Sequence, residues 1–156
     1  MASAQVFSDV VESLLAAGVQ VRVRAAGRSM LPTIRNGECL VIAPVAQRAI
    51  ERGDVLLFET WRGLLAHRVL AIEIGHDGAR RFTLRGDASL DSDRPVLAAA
   101  VVGRVVGVER AGRTRSLAVM GGDLGRLWLA ARLRLRPALD VARCWLGSPG
   151  SVVTAS

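Results

Sequence analysis

The sequence predicts a mainly β protein with flanking helices, its strands coiled into a partly open antiparallel barrel. Three observations carry that expectation. From Val19 onward, apolar residues alternate or run in short blocks of strand length, divided by turns rich in Gly, Pro and Asp. Strands of this length joined by mostly short loops favour such a barrel over a parallel sheet with crossover helices. Hydrophobic residues make up 51% of the chain but aromatics only 4%, with no Tyr, so the core must come from Val, Leu, Ile and Ala. At 156 residues the simplest organisation is one domain, burying about two thirds of the surface its unfolded chain exposes.

Residues 1–18 read as an amphipathic helix. Val6, Phe7, Val10, Val11, Leu14 and Leu15 recur at helical spacing, and Gly18 suits the cap. Asp9 and Glu12 interrupt the apolar part and no basic residue precedes it, so it is not patterned as a signal peptide. It is also too short to span a membrane, and its expected role is to cover one end of the β core. Residues 19–119 are assigned to the β-rich domain, with strands expected near 19–26, 39–45, 53–60, 64–74, 80–86, 101–109 and 114–119.

Residues 120–156 form a basic, apolar tail. Within 121–146, leucines, Trp128 and Trp145 mix with Arg126, Arg132, Arg134, Arg136 and Arg143. These arginines forbid an ordinary membrane span, and Pro137 should divide any helix. Two readings stay open: a helix lying on an anionic membrane surface, or one packed on its own domain or a partner. Residues 147–156 are expected to fray. With no span and no signal peptide in view, the chain is expected in the cytoplasm, peripheral on the inner face of the membrane if the tail attaches it.

The net charge of +7 is unevenly spread. Residues 1–110 hold 14 Arg and 12 acids, whereas residues 111–156 hold 7 Arg and 2 acids. A basic end of this kind points to anionic lipid or an acidic partner, and no nucleic-acid partner is expected, because aromatic stacking platforms and helix-turn-helix or zinc patterns are missing. Cys39 and Cys144 lie far apart with no metal-type spacing, and neither a metal nor any other cofactor is implied.

The chemistry centres on Gly27-Arg28-Ser29-Met30-Leu31-Pro32-Thr33-Ile34. The alternating run Val19, Val21, Val23 reads as a half-buried strand ending at Gly27, where the backbone is free to turn. Pro32 then restricts Leu31 to extended geometry. Ser29 thus sits on a constrained turn at a strand end, a candidate nucleophile that needs a base to take its proton. All 21 cationic side chains are arginine, which stays protonated and so cannot serve. Of the two histidines, His76 falls in the hairpin-like turn Gly75-His76-Asp77-Gly78, while His67 lies in an apolar run of strand length that can hold its ring in place. A base also needs an acceptor for its second ring nitrogen. Asp87 and Asp93, in the segment after the next strand, are both candidates.

These residues resemble the signal peptidase and LexA-type superfamily of serine peptidases, in the branch where histidine replaces lysine. Four blocks match in order: Gly27 through Thr33 with Asn36-Gly37-Glu38 behind it, Gly53-Asp54-Val55-Leu56-Leu57-Phe58, His67-Arg68-Val69, and Gly86-Asp87 through Asp93-Arg94. The resemblance covers roughly residues 19–110. It implies an all-β core that cleaves peptides after small residues, with Ser29 as nucleophile, His67 as general base, and Asp93 or Asp87 as third member. It further implies that Gly27, Arg28, Met30, Leu31 and Pro32 line the oxyanion and substrate region, and that Arg94 orients an acid. Gly27 departs from the serine often found two residues before the nucleophile, and its loss of a hydroxyl donor leaves a backbone N–H to take that part.

The expected activity is therefore that of a serine endopeptidase acting on a peptide or precursor protein through a Ser-His-Asp site. Two alternatives remain at this point. One is a non-catalytic peptide-binding module on the same fold, favoured by Gly27. The other is a LexA-type self-cleaving regulator with Ala17-Gly18 as its internal bond.

Overall fold

The computed structural model describes residues 2–117 and 153–155. The tail expected over 121–146, its proposed membrane contact and the end of the last predicted strand lie outside the described residues.

Helix α1 (Ala2–Ala16) ends where Gly18, at φ +80°, lets the chain fold back. The Val19 N–H donates to the Leu14 carbonyl at 2.9 Å and the Gly18 N–H to that of Leu15 at 2.9 Å, which is the Schellman arrangement. Only half of its predicted apolar positions face the core. Val11 and Leu15 are buried and Phe7 packs against them, whereas Val6, Val10 and Leu14 are exposed.

Nine strands follow: β1 (Val21–Gly27), β2 (Cys39–Ala43), β3 (Val55–Thr60), β4 (Gly63–Ile74), β5 (Arg80–Arg85), β6 (Val96–Leu97), β7 (Val101–Arg110), β8 (Arg113–Ser116) and β9 (Val153–Ala155). They form one open sheet in the order β6-β5-β4-β3-β7-β2-β1-β9, with β8 paired to β7. Strand accounts for 46% of the described residues, and the pairing is mainly antiparallel. Strands β1 to β5, β7 and β8 fall close to seven predicted ones, while β6 and β9 were not foreseen.

Strand β3 shows why the sheet sits in the middle of the core. Its run Val55-Leu56-Leu57-Phe58 has no polar face: Val55 and Leu57 join one apolar cluster, Leu56 and Phe58 another. A strand buried on both sides reads as a continuous apolar block instead of an alternation. Register shifts interrupt the pairing of β7 with both β2 and β3, and of β4 with β5. Bulges of this kind bend strands and increase their twist. The sheet coils so far that β9, at one end of the order, comes within 8 Å of β4 between Cα atoms. Among the described residues, no helix is long and apolar enough to cross a membrane.

Candidate active site

Strand β1 ends at Gly27, whose φ of +98° is open to glycine and strained for other residues. Its N–H donates to Asn36 Oδ1 at 2.9 Å. The turn that follows is held by two backbone bonds, Leu31 N–H to the Arg28 carbonyl at 3.1 Å and Ile34 N–H to that of Met30 at 2.8 Å. A cis peptide joins Leu31 to Pro32. Met30, 1% exposed, and Ile34 are sunk in the main core. The turn is thereby pinned from below, with Ser29 beside the pin. Behind it, Glu38 accepts the Arg35 N–H at 2.8 Å and pairs with Arg110 of β7. The Arg110 hydrogen bond holds the Glu38 carboxyl below its ordinary range.

Two expectations are corrected here. Met30 does not line a substrate cleft, because its side chain fills the core. The N–H of Gly27 is engaged by Asn36, so it is not a free oxyanion donor. Leu31 is half-buried, and Arg28 and Pro32 are exposed on the same turn.

His67 lies on β4 opposite Leu56, with the Phe58 ring 6.1 Å away centroid to centroid. Ser29 Oγ stands 3.0 Å from His67 Nε2, and His67 Nδ1 stands 2.5 Å from Asp93 Oδ2. Ser29 is 6% exposed and His67 3%. A carboxylate only accepts, so Nδ1–H donates to Asp93; in the neutral ring Nε2 then carries the lone pair that accepts the Ser29 hydroxyl proton.

The segment 86–93 brings Asp93 to this place. Its start is pressed against the serine: a Cβ built on Gly86 would stand 2.7 Å from the Ser29 carbonyl oxygen and 2.8 Å from Ser29 Cβ. The Ala88 N–H donates to that same carbonyl at 2.7 Å, and the Asp93 N–H donates to the Leu84 carbonyl at 2.8 Å. The loop is fixed to the serine turn at one end and to β5 at the other.

Asp87, the other candidate acid, makes a different connection. Arg68 grips it through two bonds, Nε to Oδ1 at 2.7 Å and Nη2 to Oδ2 at 2.6 Å. Arg68 Nη1 also donates to the Gly53 carbonyl at 2.8 Å, and Nη2 reaches Thr33 Oγ1 at 3.5 Å. Burial alone would raise the Asp87 pKa, but hydrogen bonds from Arg68 and Thr33 and the guanidinium charge outweigh it and hold the carboxyl below its ordinary value. The Arg68 pKa is raised in turn by its bond to Asp87. Arg94, given the orienting part by the resemblance, is exposed and makes no hydrogen bond or ion pair with a described residue. Arg68 holds an acid instead. Its position directly after His67, facing the opposite side of the strand, was the signal that could have found it.

Among the described residues, the N–H groups of Ser29 and Met30 donate to no partner, and no cluster of His, Cys, Asp and Glu could hold a metal. A hollow of about 230 Å³ lies elsewhere, lined by Thr33, Val108, Arg110, Arg113, Thr114 and Arg115; it includes none of Ser29, His67 and Asp93. Around the serine, one strand edge has no ladder partner among the described residues and another is taken only by the three-residue β9. Strand β5 pairs with β4 only from Arg68 onward, so Gly63–His67 has a ladder on the β3 side alone. Strand β1 is paired with β2 through Val21–Arg24, and its stretch Ala25–Gly27 borders β9.

Compared with known proteins, the chain matches no family model and no curated protein sequence.

Proposed function

We propose that this chain is a serine endopeptidase of signal-peptidase-like type that cleaves a peptide or precursor protein through Ser29, His67 and Asp93. The observation that carries the reading is the unbroken chain Ser29 Oγ to His67 Nε2 to Asp93 Oδ2, at 3.0 and 2.5 Å. A buried serine could satisfy its hydroxyl on any nearby carbonyl; pairing with an imidazole whose far nitrogen is held by a carboxylate is what activation of a nucleophile requires.

In the proposed reaction Ser29 Oγ attacks the scissile carbonyl carbon while its proton passes to His67 Nε2. Asp93 fixes the ring tautomer and stabilises the imidazolium. The oxyanion forms beside the N–H groups of Ser29 and Met30, which have no partner among the described residues and suit the work of such donors. Collapse breaks the C–N bond as His67 returns the proton to the leaving amine. Water, deprotonated by His67, then hydrolyses the ester on Ser29. The substrate lies extended, adding its backbone to the Gly63–His67 edge of β4, which has a ladder on the β3 side alone among the described residues. A preference for a small residue before the cleaved bond, and the coiled barrel of the signal peptidase and LexA type, rest on the resemblance of the four sequence blocks.

Internal cleavage at Ala17-Gly18 gains no support. The Ala17 N–H donates to the Ser13 carbonyl at 3.0 Å and the Gly18 N–H to that of Leu15, so this bond belongs to a helix cap and is not extended.

Reaction with a fluorophosphonate, followed by intact mass and peptide mapping, tests the proposal. One adduct is expected, on Ser29, lost in both Ser29→Ala and His67→Ala. A folded wild-type chain that takes up no probe and cleaves none of a library of extended peptides would overturn it in favour of a binding module.

A further inference from the structure

Strand β9 is unlike the other strands. Among the described residues every other pairing in the sheet is antiparallel, whereas Val153–Ala155 runs parallel to β1, with Ala25 opposite Val153, Ala26 opposite Thr154 and Gly27 opposite Ala155. It is three residues long and hydrogen-bonded in a ladder to β1 alone. Because the pair is parallel, both segments run toward the turn that carries Ser29, two residues beyond Gly27. Strand β9 also comes within 8 Å of β4 between Cα atoms, the strand that bears His67 and whose Gly63–His67 stretch has a ladder on the β3 side alone among the described residues. The segment thus occupies a strip along Ala25–Gly27 of β1 and close to β4. An extended peptide presented to Ser29 would need the same strip, since its backbone has to pass beside both strands.

We propose that Val153–Ala155 is a cis-acting pseudosubstrate, a piece of the chain that fills the groove meant for an extended peptide and competes with peptides supplied in trans. The inference rests on the peptidase reading only in naming the groove as a substrate site. The ligand class it assigns is an extended peptide that runs parallel to β1 in the register Val153–Ala155 holds against Ala25–Gly27. The segment blocks by mass action: an external peptide binds only the fraction of molecules whose groove is vacant, so its apparent affinity falls by that fraction.

The test measures binding without turnover, in the full chain carrying Ser29→Ala. A fluorescein-labelled hexapeptide with the sequence of residues 151–156 is titrated by anisotropy against this chain with and without Thr154→Pro. Proline removes an N–H from the strand and disfavours the ladder. The expected result is about tenfold tighter binding in the Thr154→Pro chain, the gain of emptying a groove that is mostly filled, with an unchanged melting temperature. A second variant, Val153→Gly with Ala155→Gly, weakens the strand while keeping every donor and should shift affinity the same way by less. Equal affinity in all three chains, or no binding in any, overturns the proposal. A fall in melting temperature without a gain in affinity also overturns it, by making β9 a structural strand. If binding behaves as expected while the wild-type chain reacts with no fluorophosphonate, the groove assignment stands and the peptidase reading fails. Cleavage in trans with no effect of Thr154→Pro has the opposite meaning.

Discussion

His67 and Arg68 are neighbours on β4, yet each takes a different aspartate from the same loop. His67 holds Asp93 at 2.5 Å, and Arg68 holds Asp87 through two bonds. Consecutive strand residues face opposite sides, so one loop with acids at 87 and 93 grips the strand from both. The two pairs differ in what they can do. An imidazole can take and return a proton, and it stands against a hydroxyl; a guanidinium cannot lose its proton, and it stands against a carbonyl of Gly53 and the Thr33 side chain. The first pair holds the groups that proton transfer requires. The second fastens three segments, the serine turn, the approach to β3 and the 86–93 loop, so that the first keeps its spacing.

Substitutions on the proton-transfer side should remove activity and spare the fold. Ser29→Ala and His67→Ala are expected to lower kcat by roughly 10⁶-fold, as for nucleophile and base acting as a unit, with melting close to wild type. Asp93→Asn should cost about 10⁴-fold, because an amide at that place favours the wrong ring tautomer. Peptide hydrolysis and thermal melting on the same preparations check both. A large loss of stability in Asp93→Asn would make it a fastening acid like Asp87 and erase the distinction.

Asp87→Asn should invert the pattern, with a loss of stability larger than any direct chemical role would give. Its pair with Arg68 is partly buried, the two side chains being 14% and 28% exposed. Breaking it should cost about 2 to 3 kcal/mol, between the values for exposed and fully buried pairs. The pH dependence has a definite sign. The folded pKa of Asp87 lies below its ordinary 3.8, so the stability it contributes is present in full above that value and is lost as pH falls through the lower folded one. Urea unfolding should therefore show a constant gap between wild type and Asp87→Asn from pH 5 to 7, closing only below pH 3.8. A gap that closes near neutrality would mean that the carboxylate is not what holds the loop.

Much of this site was legible in the sequence because it rests on chemistry and elimination. The lack of lysine and the strand setting of His67 against the turn setting of His76 point to His67 as base, and the constrained turn at the end of the Val19–Gly27 run points to Ser29. The choice between Asp87 and Asp93 is not legible in this way, since the course of the 86–93 loop depends on the packing of Gly86 against Ser29 and on the Ala88 bond to its carbonyl. The family resemblance places Met30 in a cleft; the structure buries it in a core cluster that draws on α1, β1 and β7, an assembly that spacing does not encode. Seven strands were readable from blocks of apolar residues, whereas β6 and β9, at two and three residues, are too short to show a period. Fraying over 147–156 is expected from its place at the end of the sequence, a general tendency that does not see the pairing of Val153–Ala155 with β1.

The smallest effect expected is also the sharpest comparison between two arginines. Arg94 directly follows Asp93, and the family resemblance gave it the task of orienting an acid. In the structure it is exposed and pairs with no described residue, while Arg68 spans Asp87, Gly53 and Thr33. Arg94→Ala should thus behave as an ordinary surface change, within about 0.5 kcal/mol in stability and about twofold in kcat/KM. Arg68→Ala should lose stability comparable to Asp87→Asn, and the double variant with Asp87→Asn should add little, because both remove the same interaction. Arg94→Ala combined with Asp93→Asn should instead be additive. If Arg94→Ala lowered kcat/KM tenfold and that loss vanished in the Asp93→Asn background, Arg94 would be orienting Asp93 in solution, and the division of labour between the two faces of β4 would have to be redrawn.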